Sequence, residues 1–208
     1  MIFEEFKLNN ILDNMIANGE LEPLIVVTPT FNKCSAQTFY KEWRASLIPY
    51  IEKKYSTYAE GNVSEDNLKK TRYHRAYGGF SMGSASTWAG IVHGGMEVCA
   101  YWMPLSGDNW EGNNAFAKSQ TVADEIDRIG LKDDEFFIIA STGSDDIAYP
   151  NMKPQYEEMH KNSKFKFSSD LSQGNSYFLV APGKTHWWGF VRWYIYVTLP
   201  IFFHEHQG

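Results

Sequence analysis

One short segment, residues 79–83 (GFSMG), constrains the fold of this chain more than any other part of its sequence. It has the G-x-S-x-G pattern of a nucleophile elbow, in which a serine occupies the sharp turn between a β-strand and an α-helix. A Cβ at either flanking glycine would collide with the neighbouring strand or helix. The motif therefore predicts an α/β fold with the Ser81 hydroxyl at the head of a helix, whose N-terminus favours developing negative charge.

Predicted strands and helices alternate along the rest of the chain. Apolar runs typical of buried strands cover residues 24–28, 77–80, 98–104, 135–140 and 176–181. Segments with helical patterning cover residues 8–17, 38–54, 82–93, 120–129, 153–161 and 187–203. This alternation predicts a mostly parallel sheet with helices on both faces. The length of 208 residues fits one domain spanning residues 1–208.

An acidic pair and a histidine each follow one of these predicted strands. Asp145 and Asp146 come after residues 135–140, and His186 comes after residues 176–181. The order serine, aspartate, histidine is that of the α/β-hydrolases, and the chemistry of a parallel sheet gathers at its carboxyl edge. His186 could take the Ser81 proton while one of the aspartates orients the imidazole. A turn-forming aspartate or a packed histidine is commoner for each residue alone, but not for all three together.

Composition excludes several classes of function. The net charge of −6 argues against nucleic-acid binding, and no apolar run has the length of a transmembrane helix, so we expect neither a nucleic-acid nor a membrane partner. No signal-peptide pattern occurs at the start of the sequence. Cys34 and Cys99 are predicted to be free thiols. His204 and His206 fit a polar tail better than a ligand pair, so no metal site is predicted.

The motifs around these residues resemble a known family, the feruloyl esterase domains of carbohydrate esterase family 1, which are often fused to xylanases. The matching segments cover residues 21–30, 78–83, 103–108 with Trp110, 142–146 and 181–189. The resemblance implies an α/β-hydrolase fold and a serine esterase that works through an acyl-enzyme without a cofactor. It makes Ser81 the nucleophile, His186 the base and Asp146, rather than Asp145, the acid.

The substrate implied by the resemblance is a feruloylated arabinoxylan or a small phenolic ester, from which ferulic or related hydroxycinnamic acids are released. Met82 would supply an oxyanion-hole N–H, because it follows the nucleophile, and Asp108, Trp110 and Trp187 would bind substrate. The family also implies a secreted or cell-surface enzyme that is fused to xylanases or acts beside them. Another carboxylic ester hydrolase or an acyltransferase on the same scaffold is the alternative.

One family feature is not found in this sequence. Such enzymes carry a His-Gly-Gly-type loop ahead of their first helix, and that loop supplies the second oxyanion N–H. Here the sequence opens directly into the helix predicted at residues 8–17. We therefore expect an amino-terminally truncated esterase domain that lacks its first strands and half of its oxyanion hole. Such a domain would have weak activity, or would be an inactive fragment.

The expected truncation has a consequence for the sheet. The resemblance places the absent strand between the strands at residues 24–28 and 77–80. Without it, we expect those two strands to close against each other, giving the order 24–28, 77–80, 98–104, 135–140, 176–181, or to pair with another chain.

Overall fold

A computed structural model describes residues 4–31 and 33–203. The strands are β1 (Ala76–Phe80), β2 (Tyr101–Leu105), β3 (Phe137–Gly143) and β4 (Ser176–Ala181). The helices are α1 (Leu8–Ala17), α2 (Phe39–Glu42), α3 (Ile48–Lys54), α4 (Glu65–Lys70), α5 (Met82–Val92), α6 (Ala115–Ile129), α7 (Tyr149–Met159) and α8 (Trp188–Thr198). A π-helical turn, Trp43–Leu47, joins α2 to α3.

The four strands form one parallel sheet in the order β1-β2-β3-β4. Every residue of β3 is buried, which fits a central strand covered on both sides. The predicted parallel sheet is therefore confirmed, as is the relative order of the four strands.

Helices cover both faces of this sheet, as the sequence predicts. Because neighbouring residues of a strand point to opposite faces, Trp102 and Ile138 belong to one apolar cluster while Tyr101 and Ile139 belong to another. The first cluster contains side chains of α5, α6 and α7, and the second contains Leu8, Leu12 and Met15 of α1. A third cluster joins the ends of β1 and β2 to α8.

The prediction of a buried strand at residues 24–28 is wrong. This segment forms no strand, and Ile25, Val26 and Val27 are 47%, 40% and 39% exposed. Its composition suits a strand, but strand formation depends on a neighbour to pair with, and no described residue forms a ladder with it. The five-strand order is therefore also wrong, and β1 pairs on one side only, with β2.

Helix starts differ from prediction by a few residues where local chemistry sets them. Helix α6 begins at Ala115 instead of residue 120, because the Asn114 side chain accepts a hydrogen bond from the Ala117 N–H at 2.9 Å. Helix α7 begins at Tyr149 instead of residue 153 and carries Pro150 in its first turn, where the missing N–H costs nothing.

Several predicted absences can be examined only in the described part of the chain. Both Cys34 and Cys99 are free thiols there. None of the described helices is both long enough and apolar enough to span a bilayer. Among the described residues, no group of three or more potential ligand side chains could hold a metal ion. His204 and His206 lie outside the described residues.

Candidate active site

Ser81 occupies the turn between the last residue of β1 and the first residue of α5. Its backbone has φ 59° and ψ −113°, a conformation that residues with a Cβ seldom adopt. The turn is held from both sides. The Ser81 N–H donates to the Leu105 carbonyl at 2.9 Å, and the Ser81 carbonyl accepts from the N–H groups of Ser84 and Ala85. Strain of this kind persists only where the surrounding structure fixes it, and it is concentrated at functional sites.

The two glycines of the motif are not equivalent. A Cβ on Gly79 would lie 2.5 Å from the backbone carbonyl of Gly83, so residue 79 must be glycine for the helix to approach the strand. A Cβ on Gly83 would meet no heavy atom within 4 Å. The expectation that both glycines avoid a collision is therefore right for Gly79 and wrong for Gly83. The reason is that the close approach is made by the Gly83 backbone and not by the side on which its Cβ would stand.

Three side chains predicted from the sequence come together at the carboxyl edge of the sheet. His186 Nε2 lies 2.9 Å from Ser81 Oγ, and His186 Nδ1 lies 2.8 Å from Asp146 Oδ1. The Phe80 ring stacks on the His186 ring with 4.6 Å between centroids. The His186 side chain is 22% exposed, whereas that of Asp146 is fully buried. A carboxylate, an imidazole and a hydroxyl thus form one chain of hydrogen bonds, which is the geometry required for proton transfer from the serine.

The adjacent aspartates have different surroundings. Asp146 Oδ1 contacts His186 and also accepts from the Ala148 N–H at 2.8 Å. Asp145 is exposed, and its Oδ1 accepts from the Ser144 hydroxyl at 2.9 Å. Of the two carboxylates, only that of Asp146 reaches the imidazole.

The loops that carry these residues are tied to one another across the sheet edge. A Cβ on Gly143 would lie only 1.8 Å from the Lys184 carbonyl, so the end of β3 touches the loop that leads to His186. The first residue after each of β1, β2 and β3 donates its N–H to a backbone carbonyl of the neighbouring strand. The pairs are Ser81–Leu105 (2.9 Å), Ser106–Ser141 (2.8 Å) and Ser144–Ala181 (3.0 Å). The strand pairing thus continues into the loops that form the site.

Met82 directly follows Ser81, Trp187 directly follows His186, and Trp110 lies in the loop after β2. The first N–H groups of a helix have no intrahelical acceptor, so the N–H of Met82 can meet a charge that develops beside Ser81. Trp110 and Trp187 are 47% and 52% exposed. A Cβ on Gly189 would lie 2.2 Å from the Trp187 ring, which therefore rests directly on this glycine. Their substrate-binding roles stay predictions.

Asp108 has contacts within the protein that the sequence did not reveal. Its carboxylate is largely buried and forms an ion pair with Lys118 of α6. The neighbouring Asn109 is fully buried. Its N–H donates to Gln155 Oε1 at 2.8 Å, and its side-chain amide donates to Thr121 Oγ1 at 2.9 Å. These contacts anchor the loop that presents Trp110. These contacts could not be predicted from the sequence, because the residues lie in a polar run inside a predicted loop. The role of Asp108 toward substrate stays a prediction.

Tyr194 was not singled out from the sequence, although it lies close to the buried carboxylate. Its hydroxyl and Asp146 Oδ2 are both buried, and neither forms a hydrogen bond within the described part of the protein. Burial, together with the charge of Asp146, raises the pKa of Tyr194 to about 12. The phenol is therefore neutral throughout the physiological range.

Comparison with known proteins gives the following similarities. No family model matches the chain. It is 56% identical over 203 residues to endo-1,4-beta-xylanase Y of Acetivibrio thermocellus, which covers 97% of this chain. The chain spans about a fifth (19%) of the length of that curated relative.

The chain covers a larger share of the solved structures that it resembles than of this curated relative. The feruloyl esterase module from Clostridium thermocellum, a serine-to-alanine mutant complexed with sinapinate, has a TM-score of 0.96 at 54% identity, over 100% of this chain and 74% of that chain. A ferulic acid esterase of carbohydrate esterase family 1 from Anaeromyces mucronatus is 18% identical, with a TM-score of 0.55 over 92% of this chain and 69% of that chain, and shares the fold. The predicted α/β-hydrolase-type fold is confirmed by these likenesses.

The glycine asymmetry predicts opposite effects of the same substitution. Gly79→Ala should lower the free energy of unfolding by about 1–3 kcal/mol, because the new methyl group overlaps the Gly83 backbone. Gly83→Ala should leave stability unchanged or raise it by up to about 1 kcal/mol, because alanine is a better helix former and has open space here. Urea denaturation of both variants measures the difference. Equal destabilisation by the two substitutions would contradict the steric argument.

Because the buried Tyr194 hydroxyl has no hydrogen-bond partner among the described residues, its removal should not destabilise the protein. Tyr194→Phe should keep or slightly raise the urea midpoint, because it removes a buried hydroxyl that has no hydrogen-bond partner among the described residues. Tyr77→Phe is the matched control, because the Tyr77 hydroxyl lies 2.7 Å from Ser86 Oγ. That variant should lose about 0.5–1.5 kcal/mol. Equal losses in both variants would mean that Tyr194 makes a hydrogen bond in solution.

Proposed function

The chain belongs to the feruloyl esterases of carbohydrate esterase family 1, and from this membership we propose that it is a serine esterase with Ser81, His186 and Asp146 as its catalytic triad. Its proposed reaction is the release of ferulic or related hydroxycinnamic acids from arabinoxylan-type plant cell-wall polysaccharide. The observation that carries the proposal is the unbroken chain of hydrogen-bond contacts from Asp146 through His186 to Ser81.

Acylation follows from this arrangement. The Nδ1–H of His186 donates to Asp146 Oδ1, which leaves the Nε2 lone pair free to accept the Ser81 proton. Ser81 Oγ then attacks the ester carbonyl carbon, and the Met82 N–H donates to the oxyanion of the tetrahedral intermediate. The imidazolium gives its proton to the departing sugar oxygen, and the hydroxycinnamoyl group stays on Ser81.

Deacylation repeats these steps with water. His186 takes a proton from a water molecule that attacks the acyl carbon, and the phenolic acid leaves as Ser81 regains its proton. The partial exposure of His186 supports access for this water. It also disfavours an acyltransferase, in which an acceptor alcohol must compete with water. The alternative of another ester hydrolase on the same scaffold uses the same steps on an ester with a different acyl or alcohol part.

The substrate class is supported by two exposed aromatic residues on the loops after β2 and β4. The exposed rings of Trp110 and Trp187 offer flat apolar surface for a phenolic ring. The ion pair between Asp108 and Lys118 supports an indirect role for Asp108, in which it holds the loop of Trp110 in place. Because the similar protein of Acetivibrio thermocellus is an endo-1,4-beta-xylanase, we propose that the enzyme works outside the cell beside, or fused to, xylanases.

Hydrolysis of methyl ferulate tests the proposed reaction. The chain should release ferulic acid slowly, as measured by liquid chromatography, because Met82 is the one oxyanion donor assigned to it. Ser81→Ala should reduce the rate by at least about 10³-fold, because the nucleophile is lost. Intact-mass spectrometry should detect a feruloyl adduct on the unsubstituted chain and none on Ser81→Ala. Hydrolysis that survives in Ser81→Ala would show that another group carries the reaction.

A pair of neighbouring substitutions tests the identity of the acid. Asp146→Asn should lower kcat by roughly 10²–10⁴-fold, because an amide can hold the imidazole in the wrong tautomer. Asp145→Asn is the control, since its side chain is exposed and bonds only to Ser144 among the described residues. It should change kcat by less than about twofold. If the two variants lost activity equally, the distinction between the carboxylates would be wrong.

A further inference from the structure

A cleft lies between α1 and α8, and no residue of the proposed triad lines it. Its volume is about 320 Å³. Its walls include Asn14 and Asn18 from α1 and its C-terminal cap, Glu20 just beyond, and Arg192, Trp193 and Tyr196 from α8. None of these residues has a part in the ester chemistry described above.

Two aromatic rings form one wall of this α1–α8 cleft. Trp193 and Tyr196 are each 44% exposed, and their spacing of three residues puts them on the same side of the helix. Rings of this size normally bury most of their surface. Half-exposed neighbouring rings therefore give a flat apolar platform, which suits the C–H face of a sugar ring.

A carboxylate in the cleft contacts both the end of α1 and α8. Glu20 Oε2 accepts from the Tyr196 hydroxyl at 3.4 Å, and Glu20 Oε1 accepts from the Asn18 amide at 3.2 Å. Glu20 thus connects the end of α1 to α8. Its remaining lone pairs can accept from hydroxyl groups of a ligand.

Charge narrows the class of ligand. Glu20 and Arg192 are the charged side chains that line the cleft, and they carry opposite signs. Within the described part of the chain, Arg192 forms no ion pair and no hydrogen bond, so its guanidinium donors are available to a ligand. A nucleic acid or an acidic lipid surface would need a net positive site. A neutral, hydroxyl-rich ligand matches paired donors and acceptors beside an aromatic platform.

Helix α8 links the cleft to the catalytic loop. Helix α8 begins at Trp188, two residues after His186. At about 1.5 Å per residue, Trp193 and Tyr196 lie roughly 8 and 12 Å along the helix from that start. The cleft and the proposed ester-hydrolysing site thus share helix α8.

We propose that the α1–α8 cleft is a second binding site for a neutral polysaccharide main chain of the xylan type. The choice of xylan among neutral polysaccharides rests on the proposed function. Binding in the cleft is independent of catalysis, because it requires neither an ester nor the triad.

Xylohexaose without ester groups tests this site by isothermal titration calorimetry. The chain should bind it, and Trp193→Ala should weaken binding at least tenfold or abolish it. Tyr196→Phe keeps the ring but frees Glu20, and should weaken binding by a smaller factor. Tyr50→Ala is the matched control, since Tyr50 is 57% exposed on α3, outside the cleft. It should leave binding unchanged, and circular dichroism should show that every variant folds.

Two further measurements separate this site from the ester site. Saturating methyl ferulate should not displace xylohexaose from Ser81→Ala, which cannot turn the ester over, and displacement would show that both occupy one site. If methyl ferulate is not hydrolysed but xylohexaose binds in a Trp193-dependent manner, the proposed function fails and the cleft assignment stands. If methyl ferulate is hydrolysed but xylohexaose does not bind, or binds equally well to Trp193→Ala, the cleft assignment is overturned.

Discussion

The strained backbone of Ser81 is held by its neighbouring strand, and the geometry of the whole site follows from this support. A positive φ on a residue with a Cβ costs about 1–3 kcal/mol, and Ser81 and Ser106 both have one. Each of these residues stands directly after a strand and donates its N–H across the sheet, to the end of the next strand. The ladder therefore extends one step past the strands and fixes where the loops begin. The Ser81 hydroxyl has its direction because the sheet, and not the loop itself, sets the turn.

The charge in the site is compensated through one oxygen, Asp146 Oδ1. A fully buried carboxylate is costly unless it is paired and hydrogen-bonded, and Asp146 receives both the imidazole and the Ala148 N–H. Asp145, one residue earlier, remains in solvent and bonds to Ser144. The difference between the two residues is set by the turn that follows β3. Buried carboxylate, partly exposed imidazole and serine hydroxyl thus form a gradient from the protein interior toward the solvent.

Much of the active site could be predicted from local sequence patterns. The G-x-S-x-G motif indicates the strand, turn and helix around Ser81, and an apolar run just before His186 indicates the strand that leads into its loop. The order of the four strands was implied by the family resemblance and not by the alternation of elements. What could not be predicted depends on distant contacts. Residues 24–28 have strand composition but no described partner. Spacing cannot separate Asp145 from Asp146, and the collision at Gly79 but not at Gly83 depends on which side of the helix faces β1. The ion pair between Asp108 and Lys118 needs α6 to start before its predicted position.

The contact between Gly189 and the Trp187 indole has a consequence for how specificity could change. The ring rests where any side chain at residue 189 would stand, so a larger residue there would tilt or lift the indole without altering the triad. The orientation of a ring that we propose to face the substrate is thus encoded by a neighbour that need never touch the substrate. In evolutionary terms, position 189 offers a one-step route to a different acyl preference, and directed libraries at this single codon would sample pocket shapes while leaving the reaction chemistry intact.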